Sequence, residues 1–340
     1  MNRKNFLSAV IPLAANFTES NREYETIEST SQRRIPPYLQ KGDTIGITSP
    51  AGYISIEDIQ PAINKFREWG FEVSIGATIG KKDFTFGGTD NERLQDFQQM
   101  LDDKNISAIM CARGGYGAVR IIDKIDFTAF SNHPKWIIGF SDITVLHSHL
   151  NRNLGTPSIH SKMCNSFPAD WNKATPIQKE TIESIHQCLI GENMSYKVQS
   201  NPNNKAGTAT GILVGGNLKT IESLSGSKSD IHTKHKILFI EDTGEYLYSI
   251  DRMLWNLKRS GKLSQLQGLL VGGFKIKPDD EGEAFGKTIE EIVLEKVAEY
   301  EYPVGFDFPL GHQPNNFAVK CGMRHQLSID LNDCTLNEVK

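Results

Sequence analysis

Short apolar runs alternate with segments of helical periodicity through the first half of the chain. Residues 106–112 are almost entirely apolar, which is typical of a strand covered on both faces. Residues 56–69 and 91–101 space their apolar side chains as one face of a helix would. This alternation predicts an α/β layer with a parallel sheet, in which ligands gather at the carboxyl ends of the strands.

A second apolar pattern follows a polar, irregular stretch in the middle of the chain. Its predicted strands and helices are residues 210–216, 237–241, 250–258, 268–273 and 288–299, and residues 318–329 alternate as one strand would. Because 340 residues exceed the usual span of one hydrophobic core, two domains are expected.

The predicted organisation has four parts. An N-terminal extension covers residues 1–36, and a Rossmann-like α/β domain with a parallel sheet covers residues 37–165. A linker over residues 166–205, which holds one helix, leads to a β-rich α/β domain over residues 206–340. The candidate site residues described below fall in both domains, so the site is expected in the cleft between them.

Composition excludes several classes of function. The formal net charge of -4, from 37 basic and 41 acidic side chains, gives no electrostatic basis for binding nucleic acid. No stretch reaches the ~18 apolar residues of a membrane span, so no stable membrane insertion is expected. Five widely spaced cysteines without a C-x-x-C motif favour buried thiols over a disulfide framework or a zinc ribbon. H-E-x-x-H is absent, and no metal or cofactor is expected.

The N-terminus has the layout of an export signal. Basic residues 2–7 run into the apolar residues 7–15, and Arg3-Lys4-x-Phe6-Leu7 resembles a degenerate twin-arginine signal. The apolar segment is short and holds Pro12, which fits a plain terminal tail equally well. Cytoplasmic location and export to the periplasm therefore both stay open.

Ser141 follows the apolar residues 136–139 and precedes a predicted helix. A tight strand-to-helix turn exposes a nucleophilic hydroxyl and directs the next backbone N–H, that of Asp142, at a developing oxyanion. The match to G-x-S-x-G is incomplete, because Ile143 replaces the second glycine. A helix cap made by Ser141 or Asp142 explains the spacing as well.

The turn Arg113-Gly-Gly-Tyr-Gly117 follows another buried strand and is expected at the same sheet edge. Its glycines expose backbone N–H groups that can serve as a second oxyanion donor or cradle a phosphate. An ordinary tight turn is the simpler interpretation.

A nucleophilic serine needs a base and a carboxylate that orients the base. His312 lies in the loop Pro309-Leu-Gly-His-Gln-Pro314, directly after a predicted strand, which suits a functional group. Glu241 ends the apolar run of residues 237–240. A surface role for the histidine and a solvated turn at the glutamate are the alternatives.

Eight short motifs stand in a fixed order between Gly42 and Gly322. They are Gly42-Asp-Thr-Ile-Gly-Ile-Thr-Ser-Pro-Ala-Gly52, Gly88-Thr-Asp-Asn-Glu-Arg93, Ala112-Arg-Gly-Gly-Tyr-Gly-Ala-Val-Arg120, Gly139-Phe-Ser-Asp-Ile-Thr144, Gly215-Gly-Asn-Leu218, Phe239-Ile-Glu-Asp-Thr-Gly-Glu245, Arg252-Met-Leu254 and Gly311-His312. Together they resemble the LD-carboxypeptidase family of serine peptidases, which includes the microcin C immunity peptidases.

The resemblance implies a Ser–Glu–His triad at Ser141, Glu241 and His312. It also implies an oxyanion hole formed by the backbone N–H groups of Asp142 and Gly115, and a homodimer. The implied function is a serine carboxypeptidase of peptidoglycan recycling. Its implied substrate is a murein tetrapeptide, cut before the C-terminal D-Ala. A carboxypeptidase must bind a free carboxylate, for which Arg113 at the same sheet edge is a candidate, and a structural ion pair would explain Arg113 equally.

Two other functions stay open. A microcin-immunity type enzyme that hydrolyses peptidyl-nucleotide amides would stack an aromatic side chain on the base. Trp255 is a candidate for this, although packing in the core is the commoner use of a tryptophan. A non-catalytic peptide- or nucleotide-binding protein could use the glycine turn alone, and the three triad candidates argue against it.

Overall fold

The computed structural model describes residues 34–339, which form thirteen strands and eight α-helices. The strands are β1 (Thr44–Thr48), β2 (Glu72–Ile75), β3 (Ile106–Cys111), β4 (Trp136–Gly139), β5 (Ser158–His160), β6 (Ser195–Gln199), β7 (Gly207–Asn217), β8 (Lys236–Thr243), β9 (Gly268–Lys275), β10 (Val304–Gly305), β11 (Val319–Cys321), β12 (Arg324–Ile329) and β13 (Asp333–Glu338). The helices are α1 (Ile56–Glu68), α2 (Asp90–Asp102), α3 (Thr128–Asn132), α4 (Thr144–His149), α5 (Pro176–Leu189), α6 (Leu218–Ser223), α7 (Leu247–Arg259) and α8 (Ile289–Val297). The predicted export signal lies outside the described residues.

The first sheet has the order β11-β5-β4-β3-β1-β2. Its five strands from the N-terminal half pair in parallel, as the apolar runs predict. β11, which comes from near the C-terminus, pairs antiparallel with β5 at the edge. The predicted α/β fold with a parallel N-terminal sheet is confirmed, with this one strand added.

Local sequence signals set the helices beside this sheet. α1 begins at Ser55 with a capping box to Asp58, and α2 begins at Thr89 with a capping box to Glu92. Gly70, at φ +90°, follows α1 and allows the chain to turn into β2. The helices thus start and stop where the sequence indicates.

The segment 166–205 is built into the fold, although the sequence predicts a linker there. α5 lies within it, and its side chains Ile182 and Ile185 are fully buried in the core of the first sheet. β6, in the same segment, pairs with β13 in the second sheet. The segment therefore packs against both halves of the molecule instead of merely joining them.

The second sheet has the order β10-β9-β8-β7-β12-β13-β6. β7, β8, β9 and β10 pair in parallel, and the other three strands add antiparallel to β7. Buried side chains of α6, α7 and α8 form a core with β8 and β9. This agrees with a β-rich second α/β unit.

Residues 318–329 do not form the single strand that their alternation predicts. The chain breaks at Gly322, where φ is +88°. β11 before the break joins the first sheet, and β12 after it joins the second. Alternation indicates only that each short piece is a strand. Which sheet a strand joins depends on its pairing with distant strands, which alternation does not show.

Two expectations from composition concern the described residues. No helix within residues 34–339 has the length and hydropathy to cross a membrane. All five cysteines are buried with free thiols, as predicted: Cys111, Cys164, Cys188, Cys321 and Cys334. Burial raises the pKa of the Cys321 thiol to about 12, which keeps it protonated and unreactive.

Candidate active site

Ser141 stands at a sharp turn between β4 and α4. Its φ is +62°, in the left-handed region that residues other than glycine seldom adopt. Holding a non-glycine residue there costs on the order of 1–3 kcal/mol, which the surrounding structure must sustain. The strand–turn–helix context is the one that a nucleophile elbow requires.

The glycine turn of residues 113–117 lies directly against Ser141. A Cβ placed on Gly114 would lie 3.1 Å from Ser141 Cβ and 3.4 Å from Ser141 Oγ. Next to it, Gly115 adopts φ +96°. The two predicted oxyanion donors, Gly115 and Asp142, therefore come from segments that flank the same serine.

The carboxylate of Asp142 ties this turn to the elbow. It accepts a hydrogen bond from the backbone N–H of Ala118 at 2.8 Å. Burial raises the pKa of Asp142 to about 6, against the lowering effect of its bonds to the turn and of the Arg93 charge. Asp142 thus fixes the turn through its side chain and leaves its own N–H at the start of the helical turn, where such groups lack helical partners.

Glu241 and His312 meet on the second sheet. Glu241 lies in β8 and is fully buried, and its Oε2 accepts a hydrogen bond from His312 Nδ1. Gly311 precedes the histidine at φ +93°, and a Cβ there would overlap the Glu241 side chain. Only glycine allows this close approach, which explains the Gly-His pair of the sequence.

Asp242, the neighbour of Glu241, holds the ends of β7 and β8 together. It accepts hydrogen bonds from Asn217 Nδ2 at 3.0 Å and from the backbone N–H of Lys219 at 2.8 Å. The backbone N–H of Asn217 donates to Thr144 Oγ1 at 3.0 Å. Because Thr144 begins α4, this last bond fastens the helix behind Ser141 to the strand beside Glu241.

A second link positions the loop of His312. Asn316 Oδ1 accepts hydrogen bonds from the backbone N–H of Gly311 at 2.7 Å and from His160 Nε2 at 3.1 Å. His160 ends β5 of the first sheet, and its burial lowers its pKa well below the usual range, so the ring is neutral. The histidine loop is therefore registered against the sheet that carries Ser141.

The segment of Ser141 and the loop of His312 meet through Phe140. The ring of Phe140, the residue before the serine, lies 5.0 Å from the His312 ring, centroid to centroid. Within residues 34–339 no hydrogen bond joins Ser141 Oγ to the imidazole. The structure thus joins Glu241 to His312 directly and brings the serine's neighbour against the histidine.

Two other candidates have different surroundings. The exposed Arg113 donates to the backbone carbonyl of Tyr53 at 2.8 Å. The expectation that Trp255 packs in the core is wrong, because its side chain is 40% exposed on α7. The ammonium groups of Lys258 and Lys296 lie over its ring, at 5.7 and 5.0 Å from the centroid.

A cavity of about 500 Å³ opens beside His312. Its walls include Gln313, the glycines Gly272 and Gly273, and Lys287. A smaller cavity of about 210 Å³, between Gly76 and Asp103, contains none of the candidate site residues. In the part of the chain that the structure describes, no three His, Cys, Asp or Glu side chains group as a metal site would need.

Sequence reasoning missed the residues that hold the site together. The pattern that singles out Glu241 gives its neighbour Asp242 no separate role, and Asn316 lies in an irregular loop without a pattern. Asn217 carried a usable signal, since an asparagine directly before a helix is a typical N-cap. Lys162, which donates to the backbone carbonyl of Gln313 at 2.7 Å, carried none.

Comparison with known proteins identifies the family of the two halves of the chain. Residues 45–161 match the family model of the LD-carboxypeptidase N-terminal domain. Residues 210–327 match the model of the LD-carboxypeptidase C-terminal domain. The first match contains Ser141, and the second contains Glu241 and His312.

Curated relatives cover most of the chain. A Bacillus subtilis protein named "Probable murein peptide carboxypeptidase" is 33% identical over 85% of this chain and 90% of its own length. The murein tetrapeptide carboxypeptidase of Pseudomonas aeruginosa is 29% identical over 81% of this chain and 89% of its own.

Solved structures share the fold. The muramoyltetrapeptide carboxypeptidase of Oxalobacter formigenes superposes with a TM-score of 0.77 and 25% identity, covering 87% of this chain and 99% of its own. The microcin C7 self-immunity protein superposes with a TM-score of 0.78 and 22% identity, over 90% of this chain and 99% of its own. The chain belongs to the LD-carboxypeptidase family of serine peptidases.

Proposed function

We propose that the chain removes the C-terminal D-Ala of murein tetrapeptides, using Ser141, His312 and Glu241 as its catalytic triad. The observation that supports this most is the hydrogen bond between His312 Nδ1 and the buried Glu241. With it goes the contact of the His312 ring with Phe140, which directly precedes the strained Ser141. The relatives named as murein peptide carboxypeptidases supply the substrate class.

The hydrogen bond to Glu241 decides how the histidine acts. With Nδ1 bonded to the carboxylate, Nε2 is the ring nitrogen left to accept the Ser141 proton. The serine oxygen then attacks the carbonyl carbon before the terminal D-Ala, and Glu241 stabilises the imidazolium that forms. His312 returns the proton to the leaving amine, and water repeats the cycle on the acyl-enzyme.

The oxyanion that develops on the attacked carbonyl needs fixed donors. The backbone N–H groups of Gly115 and Asp142 flank Ser141 and are proposed for this task. Removing one such donor typically costs a factor of about 10²–10³ in kcat. A Ser141–His312 hydrogen bond has to form when substrate binds, as catalytic hydrogen bonds often tighten only in the complex.

The cavity beside His312 has room for part of a short peptide. Its volume of about 500 Å³ falls within the usual size of small-molecule sites, ~300–1,000 Å³. His312 and Gln313 line it and Ser141 does not, so a peptide bound there would reach the histidine and extend beyond the cavity to the serine.

The test is mass spectrometry of a murein tetrapeptide incubated with the protein. We expect loss of one alanine, and a fall of at least ~10³-fold in rate for Ser141→Ala. Ser148→Ala on α4, whose buried hydroxyl has no hydrogen-bond partner within residues 34–339, is the matched control and retains the rate. Release of alanine by Ser141→Ala at the wild-type rate would refute the nucleophile.

The same assay separates the competing functions. An aspartyl sulfamoyl adenosine, the ligand named for the microcin immunity protein, is offered in parallel. Turnover of the nucleotide amide without turnover of the tetrapeptide would favour the immunity-type function. Binding of either compound without any turnover would favour a non-catalytic role. The homodimer stays a prediction, to be checked by light scattering during size-exclusion chromatography.

A further inference from the structure

Lys162 is a partly buried cation beside the site that the proposed mechanism does not use. Its ammonium donates to the backbone carbonyl of Gln313 at 2.7 Å, and Gln313 directly follows His312. It also lies 5.7 Å from the centroid of the Phe140 ring, and Phe140 directly precedes Ser141. The ammonium therefore stands between the neighbours of the proposed nucleophile and base.

Lys162 is partly buried and lacks the partners of the fully buried lysines. Lys205, which is also partly buried, likewise donates to one carbonyl, that of Tyr300. Lys65, Lys296 and Lys320 each form an ion pair with a carboxylate. Lys135 has no such partner, but it donates to the two backbone carbonyls of Met100 and Asp103 at the end of a helix, where cations are favoured.

Within residues 34–339 no carboxylate lies at ion-pair distance from Lys162, and one carbonyl is its only hydrogen-bond acceptor. Burial lowers the pKa of this ammonium, while the nearby Glu241 charge opposes the shift. A partly desolvated cation with two free donors is costly to keep unless an anion joins it. The two remaining donors of the ammonium are available to an anionic ligand.

We propose that Lys162 binds the free C-terminal carboxylate of the peptide substrate, an inference that rests on the carboxypeptidase function proposed above. The chemistry of the leaving group sets the position. The amine that His312 protonates is bonded to the carbon that carries the carboxylate. That carboxylate therefore lies on the histidine side of Ser141, where the Lys162 ammonium is held by Gln313.

The same geometry argues against Arg113 in this role. Its guanidinium is exposed and donates to the Tyr53 carbonyl at 2.8 Å, and no hydrogen bond or ion pair joins it to Phe140, Ser141 or the loop of His312 within residues 34–339. A solvated cation contributes less to binding a carboxylate than a desolvated one, because water screens the attraction. Arg113 therefore serves as the comparison residue.

The experiment measures binding of a murein tetrapeptide and of its C-terminal carboxamide to the Ser141→Ala protein by calorimetry. We expect the acid to bind at least about tenfold more tightly than the amide, because a partly buried charge pair can add that much affinity. Lys162→Gln, introduced into the Ser141→Ala protein, keeps a donor for the Gln313 carbonyl but removes the charge. In this double variant the acid and the amide should bind about equally tightly. Lys162→Arg should restore most of the preference for the acid, and Arg113→Gln should leave that preference unchanged.

Each outcome decides something. An unchanged acid-to-amide ratio in Lys162→Gln would overturn the inference, and an equal loss for both peptides would reduce Lys162 to a support for the histidine loop. If Ser141→Ala bound neither peptide, the inference would also fall. Turnover of the tetrapeptide by the wild-type protein is measured separately. Absence of alanine release would refute the proposed function independently of the acid-to-amide binding ratio.

Discussion

Two aspartates occupy equivalent places in the two halves of the site. Asp142 directly follows Ser141 in the first half, and Asp242 directly follows Glu241 in the second. Both are buried, at 6% and 2% exposure, and burial raises the pKa of each to about 6. Their partners differ: Asp142 holds the glycine turn, whereas Asp242 holds a strand end and the start of α6.

The difference separates two tasks that catalytic residues need from their surroundings. Asp142 fixes a backbone segment that is proposed to touch the substrate oxygen, so its contribution falls on the reaction. Asp242 receives hydrogen bonds from Asn217, Lys219 and Thr243, and it touches none of the reacting atoms. Asp242 therefore stabilises the second half of the molecule. The same substitution at the two aspartates should then have different effects.

The largest expected change in stability comes from Asp242→Ala. Three donors lose their acceptor in a buried place, and each unsatisfied buried group costs about 1–3 kcal/mol. Partial relaxation should leave a total loss of about 3–4 kcal/mol in the free energy of unfolding. Urea denaturation measures it, and Asp142→Ala, which frees fewer donors, is the matched control. Equal losses for the two variants would remove the distinction.

The largest expected change in rate comes from Asp142→Ala. Without the bond to Ala118, the glycine turn loses this link to the segment of Ser141. Although Gly52 and Arg93 still bind carbonyls of the turn, the oxyanion donor is less firmly fixed. We expect kcat on the peptide substrate to fall about 10²-fold with little change in KM. Asp142→Asn, which keeps an acceptor oxygen, should lose less. A rise in KM at constant kcat would instead indicate a role in binding.

The sequence predicts the parts of this arrangement that rest on burial and local chemistry. Strands covered on both faces, such as β3 and β4, give continuous apolar runs, so their ends at Arg113 and Ser141 could be placed on one edge. Capping boxes mark the starts of α1 and α2, and Gly70 marks the end of α1. Glu241 was found because it ends an apolar run of the same kind.

The remainder depends on contacts between distant segments. β5 has three residues, two of them polar, and gives no strand pattern. The break at Gly322 that sends β11 and β12 to different sheets follows from pairing, which alternation does not encode. Lys162 was missed for the same reason, because only the fold brings it to the residue after His312.

The two aspartates also predict how stability depends on pH. Each carboxyl has a folded pKa of about 6, above the ordinary value of 3.8. The folded state therefore binds more protons between pH 4 and 6, and its stability falls as pH rises through that window. The asparagine of Asp142→Asn does not ionise. The free energy of unfolding of this variant, relative to that of the wild type, should therefore rise by about 2 kcal/mol between pH 4 and pH 7. Urea titrations across this range measure the difference, and a constant difference would show that Asp142 titrates normally.

The smallest expected effect compares the two amide variants with each other at one pH. At Asp142 the bond from Ala118 uses only Oδ2, so an asparagine can present its oxygen there and turn its NH2 away. At Asp242 both oxygens accept, Oδ1 from Asn217 and Thr243 and Oδ2 from Lys219, so an asparagine must point its NH2 at a donor on one side. Asp242→Asn should therefore be less stable than Asp142→Asn by about 1–2 kcal/mol in urea denaturation. The reverse order would mean that the glycine turn, and not the strand end, depends on two accepting oxygens.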